Sequence, residues 1–305
     1  MEQDMPLVSV IIPTYKRADM LTKAIDSVVV QTYKNLEIIV IDDNDPNSDY
    51  RLNTKNKLNS YIKRGTIKYI ENEKNLGGSI TRNRAVEESK GEYIAFLDDD
   101  DIFFPTKIEK QVKLMIENRN NNVGLVYCHC NGINEDENIL WTNTNSYEGL
   151  PLYESMIYCI ASTSLWLCDK KMLLDIGGFE DTPSKQDLLL MVKIIANNYK
   201  IMCVKEVLVN YLEHDKGRIS TINPTLRITE GYEKLRNYCE RYYDKLSKKE
   251  IKDVKFRFSR ILCLQYIGLK NNNKALKYLL EMIKSNPLHI GNVKMILRFF
   301  ISTNI

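Results

Sequence analysis

Gly91-Glu-Tyr-Ile-Ala-Phe-Leu-Asp-Asp-Asp-Asp-Ile-Phe-Phe-Pro105 runs from an apolar stretch that reads as a buried strand straight into four consecutive carboxylates. Open parallel sheets bind ligands at the carboxyl ends of their strands. Like charges this close do not all stay ionised cheaply, so water hydrates them, protonation removes them, or a cation neutralises them. A divalent cation is the economical answer, and an all-oxygen carboxylate set suits Mg2+ or Mn2+. The alternative is a solvated acidic turn that opens the following helix, with Asp101 as the helix-start carboxylate. A second cluster weighs against it, because Asp42-Asp-Asn-Asp45 also follows an apolar run, Ile38-Ile-Val-Ile41, directly. Two acidic rims on one sheet edge repel each other unless something cationic lies between them.

Outward from that stretch, strand-like and helix-like patterns alternate: Leu7–Ile12, a helical Ala18–Gln31, Leu36–Ile41, a polar helix, then Thr66–Glu71. Repeated alternation of this kind predicts a parallel sheet covered by helices. Gly77-Gly-Ser79 is expected to cap a helix over Ile80–Ser89 that Gly91 closes, with Tyr93–Leu97 as the next strand. After a helix ending near Glu117, Val123–Cys130 reads as a strand. Shorter elements follow: Asn138–Thr142, a helix near Leu152–Cys159, the strand Ser164–Cys168, and a helix Asp169–Gly177. Gln186–Ala196 reads as helix, and Ile201–Val204 and Val207–Leu212 as two strands. From Pro224 onward only helical patterns occur, and the Gly/Ser/Asn/Pro-rich stretch at 213–224 places a boundary there.

The chain has 305 residues, 44% hydrophobic and 27% charged, enough to bury a substantial core without disulfides or metal staples. Its 7 cysteines lie mostly in apolar runs and predict reduced thiols in a cytoplasmic protein. The opening Met-Glu-Gln-Asp-Met-Pro carries no basic stretch before an apolar one, so no signal peptide is expected. The net charge of +3 conceals an asymmetry: residues 225–305 hold 17 Lys and Arg against 7 Asp and Glu.

The ordered motifs Val8-Ser-Val-Ile-Ile-Pro-Thr-Tyr15, Gln31-Thr-Tyr-Lys-Asn-Leu-Glu-Ile-Ile-Val-Ile-Asp-Asp43, Glu73-Lys-Asn-Leu-Gly77, Arg82-Asn83 and Gly91–Asp101 resemble family-2 glycosyltransferases of the GT-A fold, over about residues 5–220. The resemblance implies an α/β, Rossmann-like nucleotide-diphospho-sugar transferase with a mixed, mainly parallel sheet, followed by a C-terminal all-helical region. It implies a catalytic domain over 1–222, of which about 1–105 bind nucleotide and 106–222 acceptor, and a basic helical region over 223–305. It further implies inverting transfer from a UDP-sugar. By the same resemblance Pro13, Thr14 and Tyr15 hold the uridine, and Asp43 accepts a hydrogen bond from the uracil ring. Arg17 and Arg82 lie near the nucleotide. Asp98-x-Asp100 matches the Asp-x-Asp signature, with Asp100 as metal ligand and Asp98 or Asp99 toward ribose or metal-bound water. Residues 98 and 100 would share one face if the strand ran on through them.

Inversion needs a general base. In the resemblance it follows a Gly-Gly-Phe segment, and Gly177-Gly-Phe-Glu-Asp-Thr-Pro-Ser-Lys-Gln-Asp187 puts Asp187 at that place, with Gln186 where many members carry Glu. The bland reading makes Asp187 a helix-start acid favoured by the macrodipole; Glu180 and Asp181 are competing bases. The segment Tyr211–Thr221 resembles the loop that folds over the diphosphate, with His214 completing the metal shell and Lys216, Arg218 and Ser220 as phosphate partners. His129 and His289 read as packing or surface, and Cys128-His-Cys130 lacks the second ligand pair a zinc site needs. Trp141, Tyr147 and Trp166 are sugar-stacking or core residues alike.

A nucleotidyltransferase would use the same carboxylates and metal but needs a glycine-rich phosphate loop, and Pro13-Thr-Tyr-Lys-Arg17 has no glycine. A catalytically silent protein working through its helices is the third reading. The basic tail, with Met295-Ile-Leu-Arg-Phe-Phe-Ile301, is expected to pack on the catalytic part and to dock on an anionic membrane surface, where lipid-linked glycan acceptors reside. Nucleic acid is not expected as a partner, since no groove-reading motif occurs. Sugar, linkage and oligomeric state are not encoded legibly.

Overall fold

The computed structural model describes residues 5–213 and 224–303. They fall into two compact units, one from residues 5–151, 160–181 and 193–213, the other from 152–159, 182–192 and 224–303. The loop candidates His214, Lys216, Arg218 and Ser220 lie outside the described residues.

The first unit holds one mixed sheet of nine strands: β1 (Val8–Thr14), β2 (Leu36–Asp42), β3 (Lys68–Glu71), β4 (Tyr93–Phe96), β5 (Ile102–Phe103), β6 (Val123–Ile133), β7 (Ile139–Asn143), β8 (Leu167–Asp169) and β9 (Lys200–Leu212). Their order is β3-β2-β1-β4-β8-β6-β9-β5, with β7 beside β6. Pairing is parallel from β3 to β4, antiparallel around β8, and parallel again between β6 and β9. Val8, Val10, Ile11, Ile12 and Ile39 to Ile41 are all buried, which is why the first strands read as unbroken apolar runs. Helices α1 (Ala18–Val29), α2 (Asp49–Lys63), α3 (Gly78–Glu88) and α4 (Lys107–Glu117) alternate with them; next in chain order come α5 (Leu152–Ile157), of the second unit, α6 (Lys170–Asp175), of the first, and α7 (Gln186–Ala196), whose residues up to Val192 belong to the second.

Several elements differ from the sequence expectation. The two strands expected over 201–212 are one, β9, whose Lys205 and Glu206 are extra residues opposite Cys128 and His129 of β6; that bulge is the polar break seen in the sequence. β4 stops at Phe96, so residues 98–100 form a turn and the shared-face argument lapses. Ser164 belongs to a short 3-10 turn before β8. The cap of α3 is Gly77 at φ 80°, not Ser79, and α3 ends at an extended Ser89. Gly91 does not close the helix. It is where the chain passes β1, and a Cβ there would come within 2.6 Å of the Ser9 backbone nitrogen and hydroxyl.

One core residue has no sequence signature. Lys107, at the start of α4, is fully buried: its ammonium donates to Gln111 Oε1 at 2.7 Å and lies 4.0 Å over the Phe103 ring. Burial pulls its pKa down to about 8.

The second unit contains α8 (Pro224–Glu240), α9 (Lys248–Gly268), α10 (Asn272–Ser285) and α11 (Gly291–Thr303). Ser247 and Glu250 form a capping box that starts α9. Leu235, Tyr238, Cys239, Val254 and Phe258 pack with Met156 and Ile157, while Leu262, Cys263, Tyr266, Leu279, Met282, Met295 and Phe299 form a second cluster. On α11 the buried side runs through Asn292, Met295 and Phe299; of the helical apolar set Val293, Ile296, Leu297 and Phe300 that the sequence pattern offers, Ile296 is partly buried against this cluster and the other three are exposed.

Candidate active site

The chain leaves β1 for β2 and β3 on one side and returns to β4 on the other, so the order of strands reverses between β1 and β4. The carboxyl ends at such a reversal are where open α/β sheets take ligands. There, Thr14 Oγ1 donates to Asp99 Oδ2 at 2.8 Å. Arg17 Nε lies 3.2 Å from Asp99 Oδ1, and its Nη1 pairs with Asp100. Arg82, from α3, pairs with Asp98. The four aspartates are therefore not four equivalent charges. Asp98 and Asp100 are half-buried, while Asp99 and Asp101 are buried. Asp101 turns away, accepting from the Leu212 backbone N–H at 3.2 Å. Burial raises both buried carboxyls; at Asp99 Arg17 opposes the rise, and at Asp101 Asp100 and Asp98 add to it. Two guanidiniums, those of Arg17 and Arg82, face these carboxylates.

Asp43 is fixed by the loop after β3. Its Oδ1 accepts from Asn72 Nδ2 at 2.7 Å and the Leu76 N–H at 2.8 Å, and its Oδ2 from the Gly77 N–H at 2.9 Å and Asn75 Nδ2 at 3.0 Å. A carboxylate has about four acceptor sites, so this one is taken up by the chain itself. A further donor reaching Asp43 must displace one of these, of which Asn72 and Asn75 are side chains and Leu76 and Gly77 backbone N–H groups. Beside it lies a group that sequence reasoning missed. Arg51 of α2 is buried, with Nε 3.2 Å from Asp42 Oδ2, Nη1 2.8 Å from Glu71 Oε1, and Nη2 donating to the carbonyls of Asn44 and, at 2.9 Å, Asn72. It ties the ends of β2 and β3 together. Nothing in a polar helix marks such an arginine as inward-facing.

Pro13, the last residue but one of β1, lies beside Ile41, and Lys16 takes a left-handed φ of 62° where the chain turns into α1. The Lys16 N–H is held by Asn44 Oδ1 at 2.8 Å, and its ammonium lies 4.8 Å over the Tyr15 ring. Left-handed backbone at a non-glycine residue concentrates at binding sites.

Gly177 and Gly178, at φ 76° and 56°, lead into Phe179, which Asn83 of α3 grips through both its N–H and its carbonyl at 2.8 Å. A Cβ on Gly178 would lie 2.4 Å from Asn83 Oδ1, so this glycine is required. Glu180 is engaged by Lys193 at 2.6 Å. In the second unit Asp187 stands in the first turn of α7; its Oδ1 accepts from the Leu188 N–H at 2.9 Å, and the exposed thiol of Cys159 lies 3.8 Å from its Oδ2. Trp166 is wholly buried and stacks on Phe179 at 6.4 Å, which makes it core. Trp141 is exposed, with its ring 6.1 Å from that of Tyr211. His129 bonds Ser146 at 2.9 Å, and Cys128 and Cys130 are buried in β6.

Among the described residues no group of three His, Cys, Asp or Glu side chains converges as a metal cage. Mg2+ and Mn2+ do not demand one, since one or two carboxylates, waters and substrate phosphates suffice. Asp100, half-buried at the turn, fits that open kind of site.

A mixed sheet with an acidic turn at its reversal point, followed by C-terminal helices, is the GT-A fold of nucleotide-sugar transferases. The chain belongs to glycosyl transferase family 2, whose model matches residues 9–176. An uncharacterized glycosyltransferase of Methanocaldococcus jannaschii is 33% identical over 214 residues, 69% of this chain and 72% of that one. The UDP-Glc:alpha-D-GlcNAc-diphosphoundecaprenol beta-1,3-glucosyltransferase of Escherichia coli is 37% identical over 130 residues, 43% of this chain and 48% of that one. Among solved structures, S. aureus TarS 1-349 in complex with UDP-GlcNAc aligns with a TM-score of 0.62 at 16% identity, covering 93% of both chains. Mannosyltransferase PcManGT from Pyrobaculum calidifontis, in complex with GDP-Man and Mn2+, aligns at 0.59 and 17%, covering 98% of this chain and 86% of that one.

Proposed function

We propose that this family 2 glycosyltransferase moves a hexose or N-acetylhexosamine from a UDP-sugar to a sugar hydroxyl of a lipid-linked glycan, inverting the anomeric carbon in one displacement, as a step in cell-surface polysaccharide synthesis. The observation that carries the reading is the crevice between β1 and β4, where Thr14, Arg17 and Asp98 to Asp100 meet. The acceptor class draws on the name of the E. coli relative, and the donor class on that name and the UDP-GlcNAc held by TarS. Residues 1–222 are assigned the catalysis and 223–305 the helical region.

Within the site, Thr14 and Asp99 are assigned to ribose, Pro13 and Tyr15 to the base, and Arg17 and Arg82 to phosphate oxygens, exchanging aspartate for phosphate when donor arrives. Asp100, with His214, is assigned to a divalent cation, which would supply charge neutralisation for the leaving diphosphate when bound. Lys216, Arg218 and Ser220 are assigned to the same diphosphate. Asp187 takes the acceptor proton.

Release of nucleoside diphosphate from UDP-glucose, UDP-GlcNAc, UDP-galactose and GDP-mannose, with Mn2+ or with EDTA, tests donor and metal together. UDP is expected from at least one UDP-sugar, roughly tenfold or more faster with Mn2+. Release from GDP-mannose alone would overturn the donor class, and indifference to EDTA would overturn the metal.

No helix among the described residues is long and apolar enough to cross a membrane. Surface attachment rests on α11 and the turn before it: Leu288 is 97% exposed, Ile290 78% and Ile301 77%, and residues 282–303 contain no acid. Apolar side chains rimmed by Lys284, Lys294 and Arg298 suit an anionic bilayer face. Leu297→Asp with Ile301→Asp is expected to abolish sedimentation with phosphatidylglycerol vesicles while leaving the melting temperature unchanged; undiminished sedimentation would locate attachment elsewhere.

A further inference from the structure

The helical unit contains a groove of about 720 Å³, bordered by the end of α8, the first turns of α9 and the last turn of α10. Its cations are Arg236, Lys248, Lys252, Lys255 and Lys284, and its only acids are Glu240 and Glu281. Both acids are already committed: Arg236 Nε lies 3.0 Å from Glu240 Oε1, and its Nη1 2.8 Å from Glu281 Oε2. The four lysines have no ion pair among the described residues; Lys255 does no more than rest 5.4 Å over the Tyr243 ring.

This arrangement works against the helix that bears it. Lys248 and Lys252 are four residues apart on one face of α9, where like charges repel, and Lys248 stands in a first turn whose dipole disfavours cations. A solvated lysine face would splay its ammonium groups over a convex surface. Here they border a concavity instead. Two neutral donors lie in the same wall: the Tyr243 hydroxyl, which is buried and has no hydrogen-bond partner, and Ser259, which is 1% exposed. Unopposed ammonium groups around a hollow, with an unmatched hydroxyl in its wall, call for a multivalent anion with several acceptor oxygens.

We propose that this groove is a second anion site, separate from the sheet edge, that takes a diphosphate group. A phosphate monoester carries at most about two negative charges, so four unopposed lysines favour the larger charge of a diphosphate over a monophosphate. The diphosphate is either free or the head of a polyprenyl lipid, and the two sources share the same chemistry. The site does not rest on the donor assignment, since all its residues belong to the helical unit.

Calorimetry with inorganic pyrophosphate in EDTA, which suppresses metal-dependent binding at the sheet edge, provides the first arm. The parent protein is expected to bind, and the Lys252→Glu/Lys255→Glu variant, with an unchanged melting temperature, to bind at least about tenfold more weakly. In the second arm both proteins are sedimented with phosphatidylcholine vesicles carrying a polyprenyl diphosphate. Loss of sedimentation by the variant identifies the lipid-borne source, and pyrophosphate binding with no difference in sedimentation identifies the free one. Equal behaviour of parent and variant in both arms overturns the site. So does a failure of the parent to bind pyrophosphate and diphosphate vesicles alike. Should the charge reversal lower the melting temperature, Lys252→Gln/Lys255→Gln, which removes charge without adding acid, repeats both arms.

Discussion

Asp187→Asn is expected to bind donor as the parent does and to lose turnover by about 10²- to 10⁴-fold, the range for removing a positioned general base. Asparagine keeps the shape, and its carbonyl oxygen can still accept from the Leu188 N–H, the 2.9 Å contact that Asp187 makes at the start of α7. The substitution therefore separates two roles. A residue that only opens the helix would be replaced with little loss, because Asn serves helix starts nearly as well as Asp. A base cannot be replaced, because the amide has no proton affinity at neutral pH. The readout is sugar transfer beside donor affinity and melting temperature, all on the same variant. Turnover within a few-fold of the parent would remove Asp187 from the chemistry and leave Glu180 and Asp181 as the competing bases.

How far the sequence revealed the site depends on what kind of residue each position uses. The first strands were legible because burial on both faces forces continuous apolar runs, and Ile38–Ile41 and Tyr93–Leu97 have no other reading. The acidic turn was legible as a place where charge needs an answer. Its arginine partners were not, because Arg17 and Arg82 are 83 and 16 positions from the Asp100 and Asp98 they meet, and pairing at such separations is set by the fold alone. Asp101 shows the same limit. Four identical letters gave no sign that the last one turns away to the Leu212 backbone. On α11 the trouble was abundance: Met295-Ile-Leu-Arg-Phe-Phe-Ile301 is apolar on nearly every side, so no period distinguishes the buried Met295 and Phe299 from the exposed Leu297 and Phe300. The bulge in β9 was visible only as a polar gap, and a gap reads equally as a loop.

Arg51→Met is expected to cost about 3–5 kcal/mol in urea-denaturation free energy, the usual penalty for stripping one partner from a buried ion pair. The carboxylate left behind, Asp42, is 0% exposed and lies at the end of β2. It retains the Tyr69 hydroxyl at 2.6 Å and the Asn44 N–H at 2.8 Å, but no cation. The carbonyls of Asn44 and Asn72 lose their common donor as well. The same change should reach the site. Asn44 positions the Lys16 N–H, and Asn72 is one of the four donors on Asp43, so loosening β2 from β3 disturbs both sides of the nucleotide crevice. Donor affinity is therefore expected to fall even at temperatures where the variant remains folded. Arg51→Met combined with Asp42→Asn removes the unpaired charge and should regain part of the stability, while the loop carbonyls stay unsatisfied and donor affinity stays low. A single-variant loss under about 1 kcal/mol, which is the scale of an exposed pair, would mean that water reaches Asp42 and that Arg51 is dispensable to the framework.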